Sequence, residues 1–291
     1  MELQKLTEKQ FKEIAKLVYD KTGIHLEDRK LGLLSNRLRR RLKALNMTEF
    51  EEYYRFIKSD KGFKEEEPHF LNAVTTNETY FFRNDQLWKF ICEELIDHYV
   101  QTKKNKVIRV WSAASSSGEE AYTCAIVLRE LLPNFNQWDV KLVGSDISNN
   151  VLSKAKAGVY NDYAVSKTSP ERIKKWFTEK DGAYHLKDEI KKMVEFKFHN
   201  LRDSMGAGKY DLIFLRNVLM YFDVTMKKRV IDVVTEALAP NGRLIVGDVD
   251  PIRTIAELSS HMTLEYLRPG VYGKPSITGG GSTNQKRMVT T

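Results

Sequence analysis

Residues 107–122 read VIRVWSAASSSGEEAY, and the parsing of this stretch decides the fold. VIRVWSAAS (107–115) is a compact β-rich run followed by a turn of small residues, and GEEAYTCAIVLRELL (118–132) is a helix. Toward the C-terminus the unit recurs. DVKLVGSDIS (139–148) is a second strand and NNVLSKAKAG (149–158) a second helix. KMVEFKFHNL (192–201), KYDLIFLRNVLMYF (209–222) and GRLIVGD (242–248) supply three more strands, with MKKRVIDVVTEALAP (226–240) as the helix before the last. Strands alternating with helices predict an α/β domain with a mostly parallel sheet covered on both faces. Ligands of such sheets bind beyond the carboxyl ends of the strands.

Residues 168–192 interrupt this rhythm with a basic helix (PERIKKWF), a polar turn (TEKDG) and a short AYHL segment, read as a small insertion. Toward the N-terminus, residues 1–75 read as helices only. LTEKQFKEIAKLVYDKTG (6–23) opens on Thr7 with Gln10 at capping-box spacing, places Phe11, Ile14, Leu17 and Val18 on one face, and stops at Gly23. KLGLLSNRLRRRLKALN (30–46) sets Leu31, Leu34, Leu38, Leu42 and Leu45 at helical spacing, with Arg37, Arg40, Arg41 and Lys43 on the other face. TEFEEYYRFIKS (48–59) and EPHFLNAVTTN (67–77) give two further short helices. The tail, 278–291, is Gly/Ser-rich and polar and reads as disordered.

Over 291 residues, 42% are hydrophobic and 30% charged, the profile of a soluble globular protein. No apolar run approaches the roughly 20 residues that cross a bilayer, and MELQKLTEKQ is too charged for a signal peptide. The expectation is a cytoplasmic protein without membrane insertion. Cys92 and Cys124 fall in apolar helical patterns and read as buried small hydrophobes, neither a disulfide nor a metal pair, so no metal site is expected. A net charge of +8 permits nucleic acid, an acidic membrane or an acidic protein as partner without choosing among them.

Four places can carry chemistry. The turn after the first strand is built of small residues, which let a ligand approach the backbone. It is not a GxGxxG loop for pyrophosphate, and Glu119 and Glu120 behind it suit a cationic ligand; an ordinary strand–helix turn with acids favoured by the helix dipole reads equally well. Asp146 ends the second strand, where a carboxylate accepts both hydrogen bonds of a ribose diol. Its bland role is as N-cap, which Ser148 or Asn149 could equally fill. Arg216 and Asn217 are polar between apolar runs at the end of the fourth strand. The Asn-Pro-Pro-Tyr type element that methyltransferases of amino nitrogens often place there is absent. Finally, TTNETYFFRND (75–85) puts Asn77, Thr79 and Arg83 beside aromatics at the domain junction. There Thr76 or Asn77 could cap a helix, Phe81 and Phe82 could be core, and an Arg could hold a carboxylate bidentately.

Together, TTNETYFFR, VWSAASSSGEEAY, SDISNNVLSKAKAGVY, VEFKFHNL, YDLIFLRNVLMYFD and NRLRRRLK resemble the chemotaxis receptor methyltransferases, the CheR family, in the family's order from about Leu6 to Lys274. The resemblance implies a Rossmann-like, S-adenosylmethionine (SAM)-dependent methyltransferase domain over 76–277, a small β subdomain inserted at about 168–192, and an all-α receptor-docking domain over 1–75. It places Asn77, Thr79, Arg83, Glu120, Asp146, Asn200, Leu201, Asn217 and Val218 at the cofactor. It places Arg83 and Tyr221 at the methyl group and incoming glutamate, and Arg37, Arg40 and Arg41 on the docking surface for the receptors' cytoplasmic helical region. The bland reading of that arginine helix is a solvated face. Three departures stand out. GDVD (247–250) puts Asp248 and Asp250 where the family usually carries a Gly-His-Ser-Glu element, and residues 250–275 align poorly until VYGK. TEKDG is also short where members that tether to a receptor's C-terminal pentapeptide have a longer glycine-containing turn, which points away from such a tether.

The implied reaction is direct displacement of methyl from the SAM sulfonium by a glutamate carboxylate, giving a γ-methyl ester and S-adenosylhomocysteine. A glutamate of pKa about 4.3 is already ionised at neutral pH, so no general base and no His or Cys constellation is required. Two other classes stay open: a SAM-binding signalling module without turnover, and a methyltransferase of another substrate such as nucleic acid, for which steep salt dependence would speak. Nucleic acid is not the expected partner.

Overall fold

The computed structural model describes residues 6–75, 77–247 and 264–275. Thr76, Asp248, Asp250 and the 278–291 tail lie outside the described residues. Four helices come first: α1 (Glu8–Thr22), α2 (Leu31–Ala44), α3 (Phe50–Lys58) and α4 (Asp60–Val74). Thr7 closes a capping box with Gln10 at the start of α1. Gly23 ends it in the left-handed conformation, φ 78°, with its N–H on the Tyr19 carbonyl at 2.8 Å. A Cβ on Gly23 would come within 2.6 Å of Met226 Cε, so glycine also permits the close approach of this turn to the second half of the chain. Phe11, Ile14 and Val18 are buried, as are Leu34, Leu38 and Leu42; Leu17, Leu31 and Leu45 are only partly covered. α4 begins seven residues before the predicted Glu67, because Ser59 caps it by accepting the Gly62 N–H, and it accommodates Pro68 internally.

The sequence pattern put Cys92 in a helix without giving that helix bounds; residues 85–102 are helical throughout, as α5 (Asp85–Phe90), a π-turn (Ile91–Leu95) and α6 (Ile96–Thr102). Asn84 caps α5 by accepting the Leu87 N–H, a role the sequence offered to Asn77. There follow β1 (Val107–Ala113), α7 (Glu119–Leu131), β2 (Asp139–Asp146), α8 (Asn149–Ala157), β3 (Val159–Tyr160), α9 (Asp162–Val165) and α10 (Pro170–Trp176). Next are β4 (Phe177–Lys180), β5 (Ala183–Leu186), α11 (Asp188–Lys191), β6 (Val194–Phe198) and β7 (Tyr210–Leu215). The last are α12 (Val224–Ala237), β8 (Leu238–Val246), β9 (Glu265–Arg268) and β10 (Val271–Gly273).

The main sheet has the order β6-β2-β1-β7-β8-β10-β9, parallel from β6 to β8. β10 and β9 add an antiparallel edge from the stretch that aligned poorly. Strands β3, β5 and β4 form a separate antiparallel sheet. It starts at Val159, earlier than the predicted insertion, because Val159 and Tyr160 pair with His185 and Tyr184. Asp181 and Gly182, φ 53° and 70°, make the two-residue turn between β4 and β5.

Alternation along β1 sends Ile108 and Val110 to one face and Trp111 and Ala113 to the other; β7 does the same with Leu212 and Phe214 against Ile213 and Leu215. The Trp111 face belongs to the same continuous apolar cluster as Phe11, Ile14, Leu38 and Tyr53 of the helical part. The helical part is therefore packed into the α/β part rather than beaded onto it. Cys124 is buried and Cys92 partly buried, and both are free. Among the described residues, no helix is long and apolar enough to cross a membrane.

Candidate functional site

From β1 the chain winds outward through β2 to β6, then returns to start β7 on the opposite side of β1. The crevice beyond the carboxyl ends of β1 and β7 is thus the switch point of the sheet, where side chains diverge and leave room. A cleft with about 1050 Å³ of space opens there. All nine cofactor candidates (Asn77, Thr79, Arg83, Glu120, Asp146, Asn200, Leu201, Asn217 and Val218) line it, and so does Tyr221. They come from five separated segments, and only the sheet topology gathers them. Arg37, Arg40 and Arg41 are not among its lining residues.

The small-residue turn divides its labour. Ala114 and Ser116 line the cleft with φ of 60° and 49°. Gly118, φ 93°, faces the protein: a Cβ there would meet Phe196 Cζ at 2.8 Å and Ala155 Cβ at 3.0 Å, so this glycine serves helix–sheet packing. The two acids behind the turn also part. Glu119 is buried outside the cleft lining, both carboxylate oxygens accept from Ser117 Oγ at 2.8 and 2.9 Å, and burial pushes its carboxyl up to about 7. Of the two acids behind the turn, Glu120 lines the cleft and Glu119 does not. Glu120 is itself partnered: Ser112 Oγ donates to one oxygen at 2.8 Å and Arg216 Nη1 to the other at 3.0 Å.

Asp146 is buried at the end of β2, where it accepts the Ser116 N–H at 3.0 Å and the Ser148 N–H at 2.9 Å. Burial raises its carboxyl, and the N–H groups of Ser148, Ser116 and Ile147 oppose the rise. It is not the N-cap of α8; Ser148 holds that position, without a side-chain capping bond. The two Asp146 oxygens together offer four lone-pair sites, more than these backbone N–H groups use.

Arg83 sits in a strained loop, between Phe82 at φ 55° and Asn84 at φ 73°. Phe81 and Phe82 are buried; Phe81 packs edge-on to Tyr160 and Phe177 at 4.8 and 5.1 Å, pinning the loop to the inserted sheet. Arg83 Nη1 donates to the Glu78 carbonyl at 3.0 Å and its guanidinium lies 5.6 Å from the Tyr80 ring centre. Asn77 Nδ2 donates to Thr75 Oγ1 at 3.1 Å, and its carbonyl accepts from Ser116 Oγ. Asn217 has φ 56°, adding to the left-handed residues around the cleft.

The helical part supplies one wall, through Thr22 and Ile24, which the sequence did not suggest. Ile24 bridges Phe222, and the His25 N–H donates to the Tyr221 carbonyl at 2.8 Å. Asn200 Nδ2 and Arg202 Nη1 donate to the Lys21 and Asp20 carbonyls, at 3.1 and 2.9 Å. His199 and Arg216 also line the cleft. A polar residue directly after an apolar strand was the available signal for both. Burial lowers the His199 imidazole, which stands edge-on to Trp111 at 5.6 Å.

Fit to SAM follows from the donor set. Carboxylates, amides and a guanidinium ring the cleft, Val74, Ile147, Leu201 and Val218 supply apolar wall, and three lining residues carry buried atoms without a hydrogen-bond partner: Ser115 Oγ, His199 Nε2 and Arg216 Nε. A zwitterionic sulfonium nucleoside matches that mixture.

The family model described as "CheR methyltransferase, SAM binding domain" matches residues 77–267, and "CheR methyltransferase, all-alpha domain" matches residues 9–75. The chain belongs to the CheR family. Its α/β domain binds SAM, and it is a methyltransferase. Among its CheR relatives, chemotaxis protein methyltransferase 2 of Vibrio cholerae is 32% identical, over 87% of this chain and 89% of that protein. The chemotaxis protein methyltransferase of Salmonella typhimurium is 34% identical, over 83% of each chain. That of Escherichia coli is 33% identical, over 83% of this chain and 84% of that one. In this CheR chain the arginine-rich helix is partly committed to structure. Arg41 donates to both oxygens of buried Glu66, at 2.6 and 2.9 Å, and Tyr53 Oη donates to Glu66 at 3.1 Å. Arg37 donates to the Ala73 and Thr75 carbonyls at the end of α4. Arg40 and Lys43 are the exposed cations of that face.

Proposed function

We propose that this protein methylates glutamate side chains in the cytoplasmic helical region of chemoreceptors, producing γ-methyl esters and S-adenosylhomocysteine during chemotactic adaptation. The observation that carries the reading is Arg83: a guanidinium on the cleft, hydrogen-bonded to a backbone carbonyl and, among the described residues, in no salt bridge. Such a cation is what an incoming carboxylate needs, and guanidinium geometry allows two parallel hydrogen bonds.

Bound SAM supplies a methyl group on a sulfonium leaving group. The protein's residues hold and align. Asp146 accepts from the ribose diol with its free lone pairs, and Glu120 faces the amino end. Asn77, Thr79, Asn200, Leu201, Asn217 and Val218 complete the cofactor wall. Arg83 and Tyr221 border the acceptor. The acceptor glutamate, pKa about 4.3 when free, arrives ionised, so the site needs no base. Alignment and exclusion of water are then the main contributions, and such positioning lowers a barrier by several kcal/mol. Arg40, with Arg37 and Arg41 behind it on the same helix, forms the docking face for the acceptor's helix. The two-residue β4–β5 turn leaves no extended loop for a C-terminal receptor peptide, so docking proceeds without a pentapeptide tether.

The test is transfer of radiolabelled methyl from SAM to chemoreceptor-containing membranes, followed by alkaline release of methanol. Base-labile label in a receptor band, lost in Arg83→Ala, is the expected result. SAM binding without receptor labelling would overturn the reading and leave a signalling module or another substrate.

A further inference from the structure

Arg216 ends β7 with its side chain 4% exposed, deep in the cleft. Its two terminal nitrogens point to different halves of the site. Nη1 donates to Glu120 at 3.0 Å, on the side of the first turn, and Nη2 donates to the Arg83 carbonyl at 2.8 Å, in the loop that bears the candidate acceptor-binding guanidinium. The Arg83 carbonyl also accepts from Trp88 Nε1 at 3.1 Å. This is the peptide flanked by left-handed Phe82 and Asn84, a conformation that persists only where surrounding bonds over-determine it. Glu120 in turn is fixed from the other side by Ser112 Oγ. A planar fork with donors at fixed separation can serve both acceptors at once; an ammonium is a single point charge and cannot keep that spacing.

We propose that Arg216 is a positioning residue for methyl transfer, a single guanidinium that fixes the Glu120 carboxylate on the cofactor side and the Arg83 main chain on the acceptor side. This rests on the reading of Arg83 as the group that meets the incoming glutamate. Arg216 itself need not touch the acceptor. Its work is to keep two halves of the cleft, which come from distant segments, at one separation, and to hold the Arg83 peptide in place between its two left-handed neighbours, Phe82 and Asn84.

Two variants separate this from a structural role. In Arg216→Lys the charge opposite Glu120 remains while the second bond is lost. At saturating SAM, kcat for receptor methylation should fall tenfold or more and the receptor KM should rise. The SAM dissociation constant by calorimetry should move less than about threefold. Trp88→Phe removes the other donor to the Arg83 carbonyl without touching Glu120, and should lower kcat in the same direction with unchanged SAM affinity. Hydrogen exchange read without any methyl transfer should quicken across residues 77–88 in both variants, with β7 and α7 unaltered. Unchanged kcat and exchange in both variants, or a loss confined to SAM affinity, would overturn the proposal. If the wild-type protein labels no receptor, the glutamate reading fails on its own, and the exchange data still decide whether Arg216 holds the Arg83 loop.

Discussion

The cleft beyond β1 and β7 and the arginine-rich helix α2 use similar residues in opposite ways. In the cleft, polar groups are left over: Arg83 has no salt bridge among the described residues, Ser115 and His199 carry unpartnered buried atoms, and left-handed backbone is held by Ala114, Ser116 and Asn217 on the lining and by Phe82 and Asn84 on either side of Arg83. On α2, cations that look available are engaged. Arg41 is committed to Glu66 and Arg37 to the end of α4, leaving Arg40 and Lys43 toward solvent. Charge in a sequence therefore reports little about availability; unspent hydrogen-bonding capacity and stored strain report more.

The sharpest way to break this contrast is Arg41→Ala. It would leave Glu66, whose side chain is 2% exposed, without its cation. Removing one member of a buried pair costs about 3–5 kcal/mol, so the melting temperature should drop on the order of 10 °C. A drop within two degrees would mean that Arg41 is as free as Arg40. Next is Glu119, whose carboxyl burial raises to about 7 from 4.5. The protonated form is the one the fold accommodates. Stability from this group is full below about pH 4.5 and is lost as pH rises through 7, on the order of 3 kcal/mol in all. Glu119→Gln should therefore match the wild type at pH 4 and exceed it at pH 8 in denaturant titrations; a difference constant across pH would remove the buried acid from the account. Third, Asp146→Ala should weaken SAM binding about 100-fold by calorimetry, since hydrogen bonds to a charged acceptor contribute about 1.5–3 kcal/mol each. Undiminished affinity would leave Asp146 a purely structural turn residue. The smallest change is Arg40→Glu, which should alter stability by no more than about 0.5 kcal/mol. Receptor methylation at sub-saturating receptor should nevertheless fall roughly tenfold, read by the same labelling assay, with SAM affinity intact. Equal methylation would move docking off α2.

Much was legible beforehand because local chemistry and periodicity carry it. Thr7, Gln10 and Gly23 mark the ends of α1 through bonds made within a few residues. The near-continuous apolar runs of β1 and β7, set between helices, mark a sheet buried on both faces. Around Cys92 the helical pattern was legible but its bounds were not, because a π-turn interrupts the helix, and β9 and β10 were missed because each is too short to show alternation. Glu119 and Glu120 are identical in type and adjacent, so no local rule could separate them; the 100° step of the helix sends one under the turn and the other into the cleft.

By itself the sequence determined the alternation of the parallel strands with helices, the small-residue turn, the strand-end positions of Asp146 and Asn217, and the motifs that place the chain among the CheR methyltransferases. Those depend on short-range backbone preference and pattern, which are written in neighbouring residues. Only the tertiary structure decided that Thr22 and Ile24 of the helical part wall the cleft, that Arg37 and Arg41 are spent on α4, and that Arg216 ties Glu120 to the Arg83 loop. Each of these is a contact between groups 25 to 133 residues apart or a wall shared by two domains. Such pairings follow from how the whole core packs, and no stretch of chain contains them alone.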